Sequence, residues 1–308
     1  MGRILTPQLT RNTEPTAMIT NEDQLTKWAQ GPGATEQKQC EDTISMIARI
    51  LRPRYGTTVS ILPQGSFHNR TNIAGESDVD IAVRNDGAAF HDLHAMPETA
   101  RSAFLAKLSD LPYTFQDFKT EVHQLLTAAL GSARVERRNK CIFVRETAVR
   151  IDADVVPCYC LNRVNASGTV IAQGIQFLTD RGQLVNSFPD QHYQNGVTRN
   201  DESRRMFKRT VRILKHIAAD ITTRNPSATV IASFFIECLT YNVPASVLIH
   251  STYTAAVRGA LYHLWNGIEQ GQASSFVEVN ELKWLFSDGR TVEQAKDFIL
   301  QAWSYVAD

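Results

Sequence analysis

The sequence predicts an α+β fold, in which a core of strands and helices is followed by an all-helical lobe. Runs rich in β-branched residues, typical of strands, lie between residues 57 and 156. From Glu202 onward, apolar residues recur at helical spacing instead. At about 100–200 residues per domain, a chain of 308 residues is long enough for two domains. We therefore expect an N-terminal loop and helix over residues 1–56, a core over 57–199 and a helical lobe over 200–308.

Local patterns place the elements in order. The first 34 or so residues are polar and broken by prolines and glycines, which favours loop and short helix. From Thr35 a helical apolar pattern runs to Pro53, where we expect the helix to end. The expected strands are 57–62, 79–83, 141–144 and 149–156. The expected helices are 98–108 and 118–130 in the core, and about 202–223, 228–242, 252–269 and 291–306 in the lobe.

Composition excludes several classes of protein. With 32 basic and 32 acidic residues, the chain is not expected to grip nucleic acid over its whole surface, although a local basic cleft is allowed. Its apolar runs are far shorter than the ~20 residues of a membrane-spanning helix, and the start lacks the apolar core of a signal peptide. We therefore expect a cytoplasmic protein without a membrane partner. The five cysteines are scattered, so reduced thiols are expected.

The most informative stretch joins a glycine–serine pair to two aspartates. Eleven residues separate Gly65-Ser66 from Asp78-Val79-Asp80, which opens an apolar run. Because side chains alternate along a strand, Asp78 and Asp80 share one face, about 7 Å apart. Two carboxylates on a rigid face suit a hard cation such as Mg²⁺. The Gly-Ser turn suits a phosphate, because glycine lets the backbone approach an anion and the serine hydroxyl and nearby N–H groups donate to it.

A later strand offers a third carboxylate. Asp152 and Asp154 share one face by alternation, so either could face the earlier pair. We choose Asp154, because it directly precedes the apolar pair Val155-Val156, where the strand enters the core. Three carboxylates from two strands can hold two metals about 3.5–4 Å apart, which clamp the attacking and leaving oxygens of a phosphoryl displacement. An isolated Asp-x-Asp would more often be solvent-facing; the upstream turn and the third acid favour the metal site.

Positive charge is concentrated on one helix of the lobe. Between Arg204 and Lys215 there are six basic residues and no acidic one. Helical spacing places Lys208, Arg212 and Lys215 along one polar face. A polyphosphate substrate needs such a field, although a solvated basic face is the plain alternative. We therefore expect a cleft for metal and triphosphate, with the aspartates on one wall and this helix on the other.

These motifs resemble a known superfamily. The strings GSFHNRTNIAGESDVDIAV, IDADVVPCY and SFFIECLTYNVP are similar to polymerase-β-like nucleotidyltransferases, and within them to the cGAS/DncV-like nucleotidyltransferases (CD-NTases) of bacterial antiphage defence. The resemblance covers about residues 57–245. It implies a mixed twisted sheet with flanking helices, a C-terminal helical lobe, an N-terminal helix that packs on both, and an active site in the cleft between. The implied activity is synthesis of a cyclic oligonucleotide from NTPs with release of pyrophosphate, and a cyclic dinucleotide is the expected product.

The resemblance also implies a role for each acid. Asp78, Asp80 and Asp154 would bind two Mg²⁺ ions, for which Mn²⁺ can substitute. Asp154 would lie nearest the acceptor hydroxyl and help to deprotonate it. Regulatory partner proteins and a downstream effector that responds to the cyclic nucleotide are implied as well.

The implied nucleotide contacts come from both lobes. Gly65 and Ser66 would touch the triphosphate. Lys215 and Ser233 match the lysine and serine that hold the β- and γ-phosphates in the family. Phe234 matches an aromatic residue that can stack on a base, although core packing is the commoner role of such a residue.

Alternatives stay open at this point. The same chemistry could add NMP to a tRNA end, a protein or a small molecule, and a catalytically silent nucleotide sensor could use the same fold. The string NRTNI is similar to that of family members that accept uridine, which suggests a uridine-containing product. The chain lacks an inserted Cys/His cluster of the kind that animal cGAS uses, so stable binding of duplex DNA is not expected.

Overall fold

The computed structural model describes residues 21–75, 78–106, 113–147 and 150–306. The helices are α1 (Glu22–Trp28), α2 (Ala34–Tyr55), α3 (Gly65–Asn69), α4 (Glu98–Leu105), α5 (Phe115–Leu130), α6 (Pro189–Glu202), α7 (Met206–Arg224), α8 (Ser233–Tyr241), α9 (Ala245–Leu248), α10 (Tyr253–Glu269) and α11 (Val292–Tyr305). The strands are β1 (Val59–Gln64), β2 (Val79–Asp92), β3 (Val135–Arg137), β4 (Ile142–Val144), β5 (Ala153–Val164), β6 (Val170–Leu178) and β7 (Leu184–Ser187). The expected α+β fold is confirmed.

The strands form one mixed sheet. Its main order is β1-β2-β5-β4-β3, and β6 and β7 extend it from β5. Strands β2 and β5 pair in parallel, whereas the other pairs are antiparallel. A parallel pair needs a long crossover, and the chain from β2 to β5 supplies it with α4, α5, β3 and β4.

Two helices cover one face of the sheet. Alternate residues of β2, such as Val79 and Ile81, are fully buried in a core with Ile47 of α2 and Phe118 of α5. Because side chains alternate, the residues between them point to the opposite face. Asp80 is therefore directed away from α2 and α5, toward the helical lobe.

The helical lobe has a hydrophobic core of its own. Phe207 and Leu214 of α7 are buried there with Leu261 of α10 and Phe298 of α11. Leu25 of α1 belongs to the same core, whereas α2 belongs to the core of the sheet. The N-terminal helices therefore pack on different lobes, one on each.

Several element bounds differ from expectation. Helix α2 continues past Pro53 to Tyr55, because a proline in the last turn removes only one of the helix's backbone bonds. The helix expected at 202–223 is interrupted after Glu202, where Arg204 and Arg205 take the left-handed conformation before α7 begins. The helices expected at 252–269 and 291–306 lie within one residue of α10 and α11.

The largest omission lies between residues 170 and 202. Strands β6 and β7 were not expected, and neither was helix α6, which begins at Pro189 with Phe188 as its N-cap. Pro189 suits the first turn of a helix, where its missing N–H costs no bond. Parts of the expected elements near residues 1–20, 107–108 and 149 lie outside the described residues. In the parts of the chain that the structure describes, no helix is long and apolar enough to cross a membrane.

Candidate active site

Two of the predicted acids meet where the parallel strands pair. Asp80 of β2 and Asp154 of β5 are direct partners in the register of the two strands. The neighbours of Asp154, Ala153 and Val155, are buried on the α2/α5 side with those of Asp80. Both carboxylates therefore lie on the face toward the helical lobe. Asp78 comes one residue before β2 begins.

The three aspartates interact electrostatically. Burial, together with the negative charges of Asp154 and Asp78, raises the pKa of Asp80 to about 6, against an opposing effect from Lys215. Partial burial and the charges of Asp154 and Asp152 also raise the pKa of Asp78, which Arg138 opposes. A group of carboxylates in which neighbouring charges raise the pKa of a member attracts a cation strongly.

Asp152 and Asp154 have different surroundings. The carboxylate of Asp152 accepts a hydrogen bond from the Glu146 N–H at 2.5 Å, and its carbonyl accepts from the Val79 N–H at 3.0 Å. Asp154 is the one placed opposite Asp80, and its Oδ1 accepts from the Cys141 thiol at 3.1 Å. This placement favours Asp154 as the third acid, and its role stays a prediction.

The three aspartates can be compared with the ligands that a divalent cation prefers. Across the described residues, no group of three His, Cys, Asp or Glu side chains is arranged to hold a metal ion. The donors nevertheless suit Mg²⁺, which prefers carboxylate oxygens. Negatively charged neighbours raise the pKa values of both Asp78 and Asp80, which indicates a local excess of negative charge. The three aspartates therefore fit the ion by donor chemistry and charge, whereas a complete ligand geometry is not formed.

Gly65 is required by its contact with Asp80. It has φ +61°, and a Cβ placed on it would lie 1.8 Å from Asp80 Oδ2. Any other residue would push the carboxylate away from the position opposite Asp154. Ser66 follows in the first turn of the short helix α3, and its carbonyl accepts from the Thr71 N–H at 2.9 Å.

The basic residues of α7 make different contacts. Lys215 is only 2% exposed and acts electrostatically on Asp80 and Glu237. Arg212 instead donates to the carbonyls of Ala29 and Arg70 at 2.8 Å each, and Lys208 lies over the Tyr193 ring. A fully solvated basic face, the plain alternative, does not describe these residues, because Lys215 is buried and the other two make contacts between segments. Of the three, it is Lys215 that acts on an active-site aspartate.

Ser233 and Phe234 begin helix α8. Ser233 is its first residue. Phe234 is 39% exposed, and its ring centroid lies 5.7 Å from that of His192, with the Arg290 guanidinium 5.4 Å away on the ring. Phe235, by contrast, is 2% exposed and packs in the core of the lobe. The exposure of Phe234 makes its face accessible to a ligand.

A cavity of about 850 Å³ lies between the sheet and the helical lobe. Among the predicted residues, Gly65, Asp80 and Phe234 line it. Ser66, Asp78, Asp154, Lys215 and Ser233 are not among its lining residues. The cavity therefore brings a carboxylate of the core and an aromatic ring of the lobe to one space.

Comparison with known proteins identifies the family. Residues 194–307 match the model of the cGAS/DncV-like nucleotidyltransferase C-terminal helical domain. A cyclic dipurine nucleotide synthase of Elizabethkingia meningoseptica is 36% identical, over 93% of this chain and 98% of its own length. The chain belongs to the CD-NTase family. It is a nucleotidyltransferase, and the resemblance inferred from its motifs is confirmed.

Further CD-NTases are similar to this protein over more than nine-tenths of the chain. The structure of E. meningoseptica CdnE cyclic dinucleotide synthase with GTP and Apcpp superimposes with a TM-score of 0.79 at 35% identity, over 94% of this chain and 100% of that one. A cyclic dipyrimidine nucleotide synthase, CdnE, of Cecembia lonarensis is 30% identical over 92% of this chain and 98% of its own. The similarity therefore includes both the sheet and the helical lobe.

The structure adds site residues to this CD-NTase that the sequence did not single out. His192, Trp284 and Arg290 line the cavity, and Glu237 is buried behind it. One signal was available for Glu237, because it is the one charged residue in the apolar run from Phe234 to Leu239. A charge at such a position is seldom buried without a partner. The loop that carries Trp284 and Arg290 has no comparable pattern.

Proposed function

We propose that this CD-NTase joins two ribonucleoside triphosphates into a cyclic dinucleotide and releases pyrophosphate at each bond. The pairing of Asp80 with Asp154 on the cleft side of the sheet carries the proposal. The names of two relatives, a cyclic dipurine and a cyclic dipyrimidine nucleotide synthase, support it. The cavity of about 850 Å³ is within the range of cavities that bind small molecules.

The aspartates supply the charge for phosphoryl transfer. Asp78, Asp80 and Asp154 would hold Mg²⁺ or Mn²⁺, which when bound neutralises phosphate charge and polarises the reacting phosphoryl group. Gly65 keeps Asp80 in place, because nothing larger fits against its carboxylate. Positioning and charge neutralisation supply most of the catalysis in this class of reaction.

Each bond would form by an in-line displacement. Asp154 accepts the proton of a ribose hydroxyl, the hydroxyl oxygen attacks the α-phosphorus of the second nucleotide, and the bond to the β-phosphate oxygen breaks. The departing pyrophosphate gains negative charge, which Lys215 and Ser66 would face from the two lobes. The second bond repeats these steps between the two linked nucleotides and closes the ring.

The base would bind against the lobe. Phe234 presents an exposed ring beside His192, and a base stacked on an aromatic ring gains about 1–3 kcal/mol. The relatives include purine and pyrimidine synthases, so membership of the family leaves the base open. The uridine-containing product suggested by the string NRTNI stays a prediction.

The biological setting is proposed from the family. We propose a role in bacterial antiphage defence, in the cytoplasm, where regulatory proteins control the enzyme and a downstream effector responds to the cyclic product. A partner that inhibits or activates the purified enzyme without entering the cleft would support this part. Stable binding of duplex DNA is not part of the proposal.

The experiment is an incubation without acceptor. The purified protein receives labelled NTPs singly and together with Mg²⁺ or Mn²⁺, and the products are treated with phosphatase. A phosphatase-resistant dinucleotide is expected from the wild type, and at least about a hundredfold less from Asp80→Asn. Asp86→Asn, on the same strand and bonded to Arg84 and Ser60, is the matched control and retains activity. Labelling that requires an added tRNA, protein or small molecule would instead show NMP transfer.

A further inference from the structure

Glu237 is a buried carboxylate that connects the two lobes. It lies in α8 and is 3% exposed. One oxygen is 3.0 Å from Nε2 of His192, and the other accepts from Oγ1 of Thr71 at 3.0 Å. Burial acts to raise the pKa of Glu237, but the bonds from His192 and Thr71 and the charge of Lys215 hold it below its usual value. The carboxylate is therefore ionised and fully engaged.

Each neighbour of Glu237 leads to a different part of the site. Thr71 donates its N–H to the carbonyl of Ser66 at 2.9 Å, so this bond reaches the Gly-Ser turn of the core. His192 lines the cavity and contacts the ring of Phe234. Lys215 acts on Glu237 from one turn of α7 and on Asp80 across the cleft.

Stability alone gives a weak reason for this arrangement. Removing a carboxylate and its partners from water costs several kcal/mol, and well-packed apolar residues commonly do as well or better. The surrounding helix is apolar, and Phe235, Ile236, Cys238 and Leu239 are all buried. An apolar residue at position 237 would match that environment. The charge of Glu237 therefore has a use that packing does not require.

Lys215 interacts electrostatically with two carboxylates, and this indicates what the charge of Glu237 does. Asp80 attracts it toward the sheet and Glu237 attracts it from within the lobe. Without the charge of Glu237, the attraction of the ammonium group toward Asp80 would be less opposed. An ammonium paired with Asp80 would no longer be available to a β- or γ-phosphate, and Asp80 would no longer be available to a cation.

We propose that Glu237 is a positioning residue that holds Lys215 and the Ser66 turn in the arrangement that binds a triphosphate across both lobes. The proposal rests on the proposed function, since it assumes that the cleft binds NTPs. Glu237 does not line the cavity and acts through Lys215 and Thr71. Its effect is therefore on the triphosphate group, and much less on the nucleoside.

The test compares triphosphate with monophosphate binding. Wild type and Glu237→Gln are titrated calorimetrically with the α,β-methylene analogues of ATP, GTP, UTP and CTP in Mg²⁺, and then with the monophosphate of the best-bound base. Glu237→Gln, which keeps the size and loses the charge, is expected to bind the triphosphate analogue about tenfold more weakly. The affinity for the monophosphate should change by less than about twofold, which is too small a change for the loss of a direct contact.

Two controls separate positioning from folding. Thr240→Val changes a buried hydroxyl on the same helix that bonds only the Ile236 carbonyl, so it should leave both affinities unchanged. Thermal melting of each variant reports stability. Equal losses of triphosphate and monophosphate affinity in Glu237→Gln would show a folding defect and overturn the proposal.

A double-mutant cycle with Lys215→Met tests the route of the effect. If Glu237 acts through Lys215, adding Glu237→Gln to Lys215→Met should weaken triphosphate binding by less than about threefold further. Fully additive losses would contradict the proposal. If the wild type binds no analogue at all, the proposed function fails as well, whereas an unchanged Glu237→Gln in a wild type that binds overturns the positioning role alone.

Discussion

Asp80 stands directly opposite Asp154 where β2 and β5 pair in parallel. The same carboxylate lies against the backbone of Gly65, closely enough that no Cβ fits between them. Two acids are thus fixed side by side on the cleft face of the sheet, although their charges oppose each other. An arrangement that raises the pKa of Asp80 to about 6 costs stability, and the cost is understandable where the charge is used for catalysis.

The first prediction concerns the pH dependence of stability in chelator. In the unfolded chain Asp80 loses its proton near the ordinary value of 3.8, whereas in the folded state its pKa is about 6. Between these values the folded state binds more protons, so the contribution of Asp80 to stability is lost as pH rises from about 4 to about 6. Asp80→Asn lacks this loss. The free energy of unfolding of the variant, relative to that of the wild type, should therefore be about 1–3 kcal/mol higher at pH 7 than at pH 4.

Urea denaturation at both pH values, with metal chelated, measures this gain. Asp86→Asn serves as the control, because it removes a carboxylate of the same strand that bonds Arg84 and Ser60. A difference between Asp80→Asn and wild type that stays constant from pH 4 to pH 7 would contradict the account.

The second prediction concerns Gly65. Gly65→Ala should reduce synthesis at least about a hundredfold, because its Cβ would displace the carboxylate of Asp80. Gly56→Ala is the matched control: Gly56 has φ +58°, close to the +61° of Gly65, and nothing lies within 4 Å of the added Cβ. Both variants should lose about 1–3 kcal/mol of stability from backbone strain. Equal activity in the two, measured as initial rates, is the outcome that would reject the role of Gly65.

The third prediction separates Phe234 from its neighbour. Phe234→Leu should raise the KM for NTP about tenfold with little change in stability, because the ring is 39% exposed. Phe235→Leu should lower stability by about 1–2 kcal/mol and leave KM near the wild-type value, because Phe235 packs in the core of the lobe. Steady-state kinetics and urea denaturation of both variants give the comparison. A change of KM in Phe235→Leu alone would place base stacking elsewhere.

The fourth prediction concerns the metal. Chelation should abolish synthesis, and Mg²⁺ or Mn²⁺ should restore it. Asp78→Asn should raise the Mg²⁺ concentration that gives half-maximal rate at least about tenfold, because it removes a charged oxygen donor. Asp152→Asn should change it much less, since Asp152 accepts the Glu146 N–H outside the Asp80–Asp154 pair. If Asp152→Asn instead raised the required Mg²⁺ concentration more than Asp78→Asn, Asp152 and not Asp78 would be assigned to the metal.

The sequence predicted best what depends on alternation along a strand. Alternation placed Asp78 on one face with Asp80, and Asp152 on one face with Asp154, and the structure brings Asp80 and Asp154 together. The long helices of the lobe were predicted for a similar reason, since α10 and α11 each bury a regular apolar stripe.

What the sequence did not predict depends on contacts between distant segments. The outer half of β6 is exposed, so its apolar residues lack the alternation of a half-buried strand. Pro189 resembles a turn residue until it is seen to start α6. Lys215 was expected on a polar face of its helix. Its burial depends on contacts between segments, and the electrostatic effects of Lys215 on Asp80 and Glu237 join elements that the sequence pattern cannot bring together.

The ratio of pyrophosphate released to NTP consumed tests the central claim most directly. The wild type is incubated with NTPs and Mg²⁺ without any acceptor, and both quantities are measured together with the mass of the product. Closure of a ring from two NTPs releases one pyrophosphate per NTP, so we predict a ratio of one and a dinucleotide without terminal phosphate. A ratio of one half with a linear dinucleotide triphosphate, or no consumption until an acceptor is added, would contradict cyclic dinucleotide synthesis.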